Sequence, residues 1–255
     1  MAAFPLMLPG TSRPPKLVVF DLDHTLIACD ATILWTEFLY EKKIVTDPIW
    51  RQYDRDMVKS YAKGVLDIRD FCRKHSGAFR SIPEEKLHAL AQEFANKKIA
   101  PLIFPDGKKW AKNALQANIP ACVLSASAAF IVKPIAKLFG LTDAMGIELA
   151  FKDGFCTGEI VGIPTFQEGK VERLSERLAE AGIGFEDVLF FTDSRNDLPL
   201  AERAGYTVCV NPDAVLESAA RKNGWKVAEW KLSLRTQMTA QVDAKGVPET
   251  QTVRS

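Results

Sequence analysis

The chain has 255 residues, of which 47% are hydrophobic and 25% are charged. Lys and Arg together number 33, and Asp and Glu 32, so the formal net charge is +1. This balance gives no electrostatic basis for nucleic acid or an anionic membrane surface as the main partner, and no apolar run reaches the roughly 18 residues that a membrane span needs.

The N-terminal segment and the cysteines both bear on cellular location. Residues 1–15 are rich in proline and lack the basic stretch and small-residue cleavage site of a signal peptide, so we predict a flexible N-terminal arm. The five cysteines are scattered and form no Cys-x-x-Cys pair. This pattern is typical of buried free thiols in a reducing compartment. Together these observations favour the cytoplasm.

Residues 16–30 begin the predicted α/β core. Lys16–Phe20 is a short apolar run rich in β-branched residues that stops at Asp21, as a buried parallel strand does. Residues 31–100 then show helical spacing with charged faces and contain no strand-like run. A segment this regular is too long for a loop, so we predict that residues 31–100 form an inserted, all-helical cap domain.

Strands and helices alternate again from residue 101 to residue 231. Pro134 is expected to bend or split one of these helices. The predicted helices cover Asp106–Asn118, Ala128–Phe139, Glu168–Ala181, Leu198–Ala204 and Asp213–Asn223. The predicted strands cover Ile119–Leu124, Val188–Phe191, Tyr206–Val210 and Trp225–Val227, and a β-hairpin joins residues 146–151 to 155–161 through Lys152-Asp153-Gly154.

This alternation predicts an α/β fold with a Rossmann-like, mostly parallel sheet flanked by helices. Residues 16–30 and 101–231 are its core, and the helical cap interrupts that core after the first strand. The chain beyond Leu232 is polar and lacks periodicity, so we predict a disordered tail over residues 232–255. The sequence does not define the oligomeric state.

Acidic residues follow two of the predicted strands. Asp21 and Asp23 come directly after the first strand, and Asp193 and Asp197 follow Val188–Phe191. Taken singly, such residues are mostly solvated turns or helix caps. Because ligands of open α/β sheets bind beyond the carboxyl ends of the strands, four carboxylates are expected to converge there. Such a cluster repels itself unless a cation is bound, and a cluster of oxygen ligands favours Mg²⁺.

The same sheet edge is expected to bind an anion. Ser125 follows the strand Ile119–Leu124 and precedes a predicted helix, whose N-terminus would attract a phosphate group. Lys170 lies at the start of another helix and supplies a positive charge. Alone, Ser125 is usually a helix cap and Lys170 a surface lysine. A carboxylate nucleophile, Mg²⁺, a hydroxyl group and a lysine together indicate phosphoryl transfer.

These residues resemble the four motifs of the haloacid dehalogenase (HAD) superfamily. The matching positions are Asp21-Leu22-Asp23-His24-Thr25-Leu26, Ser125, Lys170 and Thr192-Asp193-Ser194-Arg195-Asn196-Asp197. The helical insert is similar to the cap of subfamily IB, which is phosphoserine phosphatase-like. Residues 169–174 and 193–200 are similar to a bacterial branch that includes histidinol-phosphatases.

The resemblance implies a role for each matching residue. Asp21 would be the nucleophile and become an aspartyl phosphate, and Asp23 would protonate the leaving oxygen and then activate water. The metal ligands would be Asp21, Asp193 and the backbone carbonyl of Asp23, with Asp197 in support. Ser125 and Lys170 would bind the phosphoryl oxygens, and Asn196 would lie near the substrate. The sequence departs from the family pattern at Thr192, where glycine is common, and at Ala126-Ser127, where Gly-Gly is common.

The resemblance also bears on the substrate, which we expect to be a small phosphorylated metabolite. Asp30 matches a glutamate that contacts the substrate amine in phosphoserine phosphatases, although it equally suits the cap of a helix starting near Ala31. Those enzymes use a cap arginine for the substrate carboxylate, and His75 falls at that position, with Arg73 near it. The missing arginine favours an amino alcohol phosphate such as L-histidinol phosphate.

Four other functions are compatible with the sequence. Phosphoserine phosphatase and a broad-specificity phosphatase share the same motifs. A phosphotransferase would pass the phosphoryl group to an alcohol instead of water. A non-catalytic binding protein is disfavoured because both Asp21 and Asp23 are present.

Overall fold

The sheet of this protein confirms the predicted α/β architecture. The computed structural model describes residues 7–8 and 13–233. Six strands form one sheet in the order β3-β2-β1-β6-β7-β8, and every neighbouring pair is parallel. These strands are β1 Leu17–Phe20, β2 Ala121–Ala128, β3 Asp143–Ile147, β6 Val188–Thr192, β7 Tyr206–Val210 and β8 Lys226–Ala228.

Helices lie on the sheet and in the segment between β1 and β2. The sheet helices are α5 Pro105–Gln116, α6 Ala129–Lys137, α7 Glu168–Ala181, α8 Leu198–Ala201 and α9 Ala214–Asn223. The segment between β1 and β2 contains α1 Ala31–Glu41, α2 Ile49–Lys63, α3 Ile68–His75 and α4 Glu84–Phe94, followed by a π-helical turn at Ala95–Ile99. We call α1 to α4 the helical insert.

Strand β1 lies inside the sheet because its sequence is apolar on both faces. All four of its residues are buried, as expected for a parallel strand covered by helices on each side. β1 pairs with β2 on one side and with β6 on the other, where Phe20 is opposite Phe191. The chain segments that follow β1 and β6 therefore leave the sheet side by side.

Aromatic packing joins the helical insert to the rest of the fold. Trp35 lies 5.4 Å from Phe94 and 5.6 Å from Phe130 of α6, measured between ring centroids. Trp35, Phe38 and Leu39 are at most 2% exposed. These α1 residues are therefore core residues, and they do not offer a stacking surface to a ligand.

Three local predictions were wrong. The predicted strand at residues 146–151 is two strands, because β3 ends at Ile147 in the main sheet and only β4, Leu149–Lys152, pairs with β5, Phe155–Ile160, in the hairpin. Pro134 does not split its helix, because α6 continues through it from Ala129 to Lys137. β2 extends past Leu124 to Ala128 with a register shift, so Ser125 lies within the strand and not at a helix N-terminus.

The predicted N-terminal arm and C-terminal tail fall mainly outside the described residues. Trp230, close to the last described residue, packs against Phe191 at 5.8 Å between ring centroids. Within residues 7–8 and 13–233, none of the helices has the length and apolar character that crossing a bilayer requires.

Candidate active site

Asp21 and Asp193 extend from neighbouring strand ends. The ladder between β1 and β6 continues one step past β1, where the Asp21 N–H donates a hydrogen bond to the Phe191 carbonyl at 2.9 Å. Both carboxylates line the same cavity. Thr25, in the loop after β1, donates a hydrogen bond to Asp193 at 3.2 Å and so links the two loops. The carboxyl ends of β1 and β6 therefore lie side by side, as the sequence predicted.

Lys170 is buried between two of the carboxylates. It is 1% exposed, and its Nζ lies 2.8 Å from Asp21 Oδ1 and 2.8 Å from Asp197 Oδ2. Burial lowers the pKa of the ammonium group, but Asp197 and Asp21 outweigh this effect and raise the pKa above its usual value. The two carboxylates therefore favour the charged form of Lys170 at the centre of the cluster.

The cluster contains more negative than positive charge. Burial raises the pKa of Asp193 well above its usual range, and Asp21 and Asp197 raise it further. Burial also raises the pKa of Asp197 to about 6 even though Lys170 opposes the shift. One lysine thus faces three carboxylates, and a bound cation would favour their ionised forms.

Asp23 is held by hydrogen bonds on both carboxylate oxygens. Its Oδ1 accepts from the Ala31 N–H at 2.6 Å, and its Oδ2 accepts from Ser127 Oγ at 2.8 Å and from Ser125 Oγ at 3.3 Å. Burial and the nearby Asp30 carboxylate raise the pKa of Asp23 to about 6. A carboxyl group with this pKa can both give and take a proton near neutral pH.

The carboxylates open onto a cavity of about 490 Å³ beneath the helical insert. Asp21, Asp23 and Asp193 lie on the core side. On the insert side the wall is mostly apolar, with Asp30 and Glu37 as its acidic members. The apolar members are Ile33, Leu34, Met57, Val58, Ala62, Leu66, Ile68 and Phe71. Among the described residues, no lysine or arginine lines this cavity.

A model of the haloacid dehalogenase-like hydrolase family matches residues 18–202. This range includes Asp21, Asp23, Ser125, Lys170 and Asp193, around which the site is built. The chain belongs to this family.

Similar proteins include proteins named as phosphatases. Histidinol-phosphatase of Neisseria meningitidis serogroup C (strain 8013) is 35% identical over 220 residues, which is 85% of this chain and 99% of that protein. Phosphoserine phosphatase SerB1 of Mycobacterium tuberculosis is 26% identical over 239 residues, covering 90% of this chain and 77% of that protein. A solved structure of unknown function from Bordetella pertussis Tohama I has a TM-score of 0.76 and 30% identity, covering 84% of this chain and 98% of that one.

The two departures from the haloacid dehalogenase pattern both place a hydroxyl group on a site carboxylate. Thr192 Oγ1 donates to Asp197 at 2.7 Å, and Ser127 Oγ donates to Asp23. A glycine at either position would lack this bond. Ser125 is fully buried, and its hydroxyl also accepts from the Ser127 N–H at 3.0 Å.

The predicted substrate contacts are only partly on the cavity wall. Asp30 both lines the cavity and caps α1, accepting a hydrogen bond from the Ile33 N–H at 3.0 Å. Asn196 does not line the cavity, because its amide is bonded to the Tyr61 carbonyl of the helical insert at 3.1 Å. His75 is also away from this cavity; it is buried, with Nε2 3.0 Å from Thr36 Oγ1.

Sequence reasoning missed residues contributed by the helical insert. Tyr61 of α2 lines the cavity together with Asp21 and Asp193. Burial and then Asp197, Asp21 and Asp193 raise its pKa well above the usual value. No motif identifies such a tyrosine, because only the packing of α2 brings it to the site.

The donor set of this haloacid dehalogenase-like hydrolase fits a hard cation with few protein ligands. No three His, Cys, Asp or Glu side chains group around a metal position in the described ranges. Asp21 and Asp193 are nevertheless neighbouring carboxylates, of which Asp21 is buried, with too little positive charge beside them. Mg²⁺ commonly binds to one or two carboxylates and keeps several water ligands, so two carboxylates suffice.

Proposed function

We propose that this chain is a Mg²⁺-dependent phosphomonoesterase that hydrolyses a small phosphorylated metabolite through an aspartyl phosphate on Asp21. The observation that supports the proposal most strongly is the buried contact of Lys170 with Asp21. Burial raises the pKa of the Asp21 carboxyl, and Lys170 opposes this by favouring its ionised, nucleophilic form. Asp23 supplies a carboxyl group able to transfer a proton.

The reaction has two steps. In the first, an Asp21 oxygen attacks phosphorus, the bond from phosphorus to the ester oxygen breaks, and Asp23 gives its proton to the departing alcohol. In the second, Asp23 takes a proton from water as that water attacks phosphorus, and the bond to Asp21 breaks. Inorganic phosphate leaves, and both carboxylates return to their starting states.

The remaining residues of the cluster would neutralise charge. Asp21, Asp193 and the backbone carbonyl of Asp23 would hold Mg²⁺, with Asp197 in support. Bound Mg²⁺ would offset the negative charge that builds up on the phosphoryl oxygens. Ser125 and Lys170 would bind those oxygens from the other side. We also propose that residues 31–100 act as a cap domain on a core of residues 16–30 and 101–231.

We propose L-histidinol phosphate as the substrate. This ester has an amine and an imidazole and no carboxylate, which suits a cavity wall with Asp30 and Glu37 but no lysine or arginine among the described residues. Glu37 is already paired with Arg51 at 2.7 Å, which leaves Asp30 as the contact for the amine. The similarity to histidinol-phosphatase over 99% of that protein supports the same choice.

The alternative substrate is L-phosphoserine, which the phosphoserine phosphatase relative favours. Its carboxylate would meet no lysine or arginine among the described residues of the cavity wall. Arg73 instead lies near Glu159 at 3.8 Å, and His75 is bonded to Thr36. Burying an unpaired carboxylate is costly, so phosphoserine should bind less well.

The test is phosphate release by the purified chain from L-histidinol phosphate and from L-phosphoserine, with Mg²⁺ present. We expect kcat/KM to be at least about tenfold higher for L-histidinol phosphate, a difference of about 1.4 kcal/mol in the barrier. A tenfold preference for phosphoserine would reject this assignment. Repeating the assay with an acceptor alcohol detects a phosphotransferase, and no release from any ester would indicate a binding protein.

We further propose a cytoplasmic location. All five cysteines of the chain lie in the described residues and are unpaired, and four of them are buried, which suits a reducing compartment.

A further inference from the structure

A pair of side-chain amides connects the helical insert to the two loops that supply the site. Gln167 Nε2 donates hydrogen bonds to the Gly64 carbonyl at 3.2 Å and to Asn196 Oδ1 at 3.1 Å. Asn196 Nδ2 in turn donates to the Tyr61 carbonyl at 3.1 Å. Tyr61 and Gly64 belong to the C-terminal end of α2. We call this arrangement the amide bridge.

Gln167 occupies a backbone conformation that favours glycine. Its φ is 49° and its ψ is −123°, and the Gly169 N–H donates to the Phe166 carbonyl at 3.0 Å. These values describe a type II′ turn with Gln167 at the first central position, where glycine is preferred because a Cβ is strained there. Strain of this kind persists where the side chain is needed, and it is common at functional sites.

The amide bridge joins the two loops that lie next to the proposed catalytic and metal-binding residues. Gln167 lies three residues before Lys170, and Asn196 lies between Asp193 and Asp197. On the other side of the bridge, the side chain of Tyr61 lines the cavity beside Asp21 and Asp193. The backbone of Tyr61 is thus fixed by Asn196 while its side chain reaches the cluster.

We propose that Gln167 is a positioning residue that, together with Asn196, holds Tyr61 of α2 against the carboxylate cluster. This inference rests on the proposed phosphatase activity. Gln167 does not line the cavity, so it acts through the helical insert and not on the substrate itself. A glycine at position 167 would relieve the backbone strain of the turn and remove the amide bridge. The substitution therefore tests the function of the side chain separately from its effect on folding.

The test is Gln167→Gly, with Asn118→Gly as the matched control. Asn118 also has a positive φ, 57°, but it is exposed and follows α5. Because the variant loses two hydrogen bonds, we expect kcat/KM to fall about tenfold while the Tm is unchanged or higher. The control should keep wild-type kcat/KM. Wild-type kcat/KM in Gln167→Gly, or a fall in Tm that accompanies the loss of activity, would overturn the inference.

A double-mutant cycle with Tyr61→Phe tests whether Gln167 acts through Tyr61. If it does, the double variant should lose no more activity than the more impaired single variant. Losses that multiply would show that the two residues act independently and would refute the proposal.

Hydrogen exchange supplies a readout that does not depend on activity. The Gly64 and Val65 amides are bonded within the end of α2, to Tyr61 and Ser60. They should exchange at least about fivefold faster in Gln167→Gly, because the bridge no longer holds this end of the helix. Unchanged exchange contradicts the bridge. If wild-type protein releases no phosphate from any ester, the proposed function fails while exchange still decides whether the bridge exists.

Discussion

Replacing Lys170 with methionine tests the charge balance of the site directly. The substitution keeps most of the side-chain volume and removes the ammonium that lies 2.8 Å from both Asp21 and Asp197. Removing one partner from a buried ion pair costs about 3 to 5 kcal/mol, because the other charge remains buried without compensation. Here two carboxylates lose the same partner, so we expect a loss at the upper end of this range.

The stability that Lys170→Met loses should depend on pH and on Mg²⁺. Without Lys170 the folded-state pKa values of Asp21, Asp193 and Asp197 rise further, so folding favours their protonated forms. Stability of the variant therefore falls as the pH rises through about 4 to 7, and its deficit relative to wild type narrows in acid. Mg²⁺ should also narrow the deficit, because the more negative cluster binds the cation more tightly.

The assay is urea unfolding of Lys170→Met, wild type and the exposed control Lys108→Met, each at pH 5 and pH 8, with EDTA or with Mg²⁺. The control should match wild type within about 0.5 kcal/mol. A Lys170→Met variant as stable as wild type at pH 8 in EDTA would show that the cluster is not charged as described.

Three further predictions concern the same site. Asp21→Asn should lower kcat by about a thousandfold or more with an unchanged circular dichroism spectrum, since the nucleophile is lost; residual activity near wild type would assign that role to another residue. EDTA should abolish phosphate release and Mg²⁺ should restore it, and indifference to the chelator would argue against the metal site. Asp30→Asn should raise the free energy of unfolding at pH 7 by about 1 to 2 kcal/mol, because burial raises the pKa of Asp30 to about 6 and asparagine caps a helix equally well. That gain should vanish below about pH 4, where Asp30 is protonated in both states, and a gain that persists in acid would have another origin.

The sequence predicted the features that depend on local patterns. The apolar run before Asp21 and the run before Asp193 specified two buried parallel strands, and the parallel pairing rule then brought their carboxyl ends together. Helical spacing between β1 and β2 likewise predicted the helical insert. These predictions succeeded because burial on both faces of a strand, or along one side of a helix, requires apolar residues at a characteristic spacing in the sequence.

Features that depend on tertiary packing were missed. β2 continues through Ser125 because it pairs with β3, and nothing in the residues after Leu124 indicates that partner. Asn196 was predicted to lie near the substrate, and nothing in the sequence indicated that its amide is bonded to the backbone of Tyr61. A motif specifies that an amide is present, but the position of α2 decides which carbonyl that amide meets.

The strand order has a consequence for how the protein is made. Lys170 is 149 positions from Asp21, and Asp193 is 168 positions from Thr25. Contacts between residues so distant in the chain close large loops and form slowly during folding. A polypeptide emerging from the ribosome therefore has its first acidic residues long before the lysine that balances them. The active site is consequently among the last parts of the molecule to assemble. A chain that terminates early lacks this site.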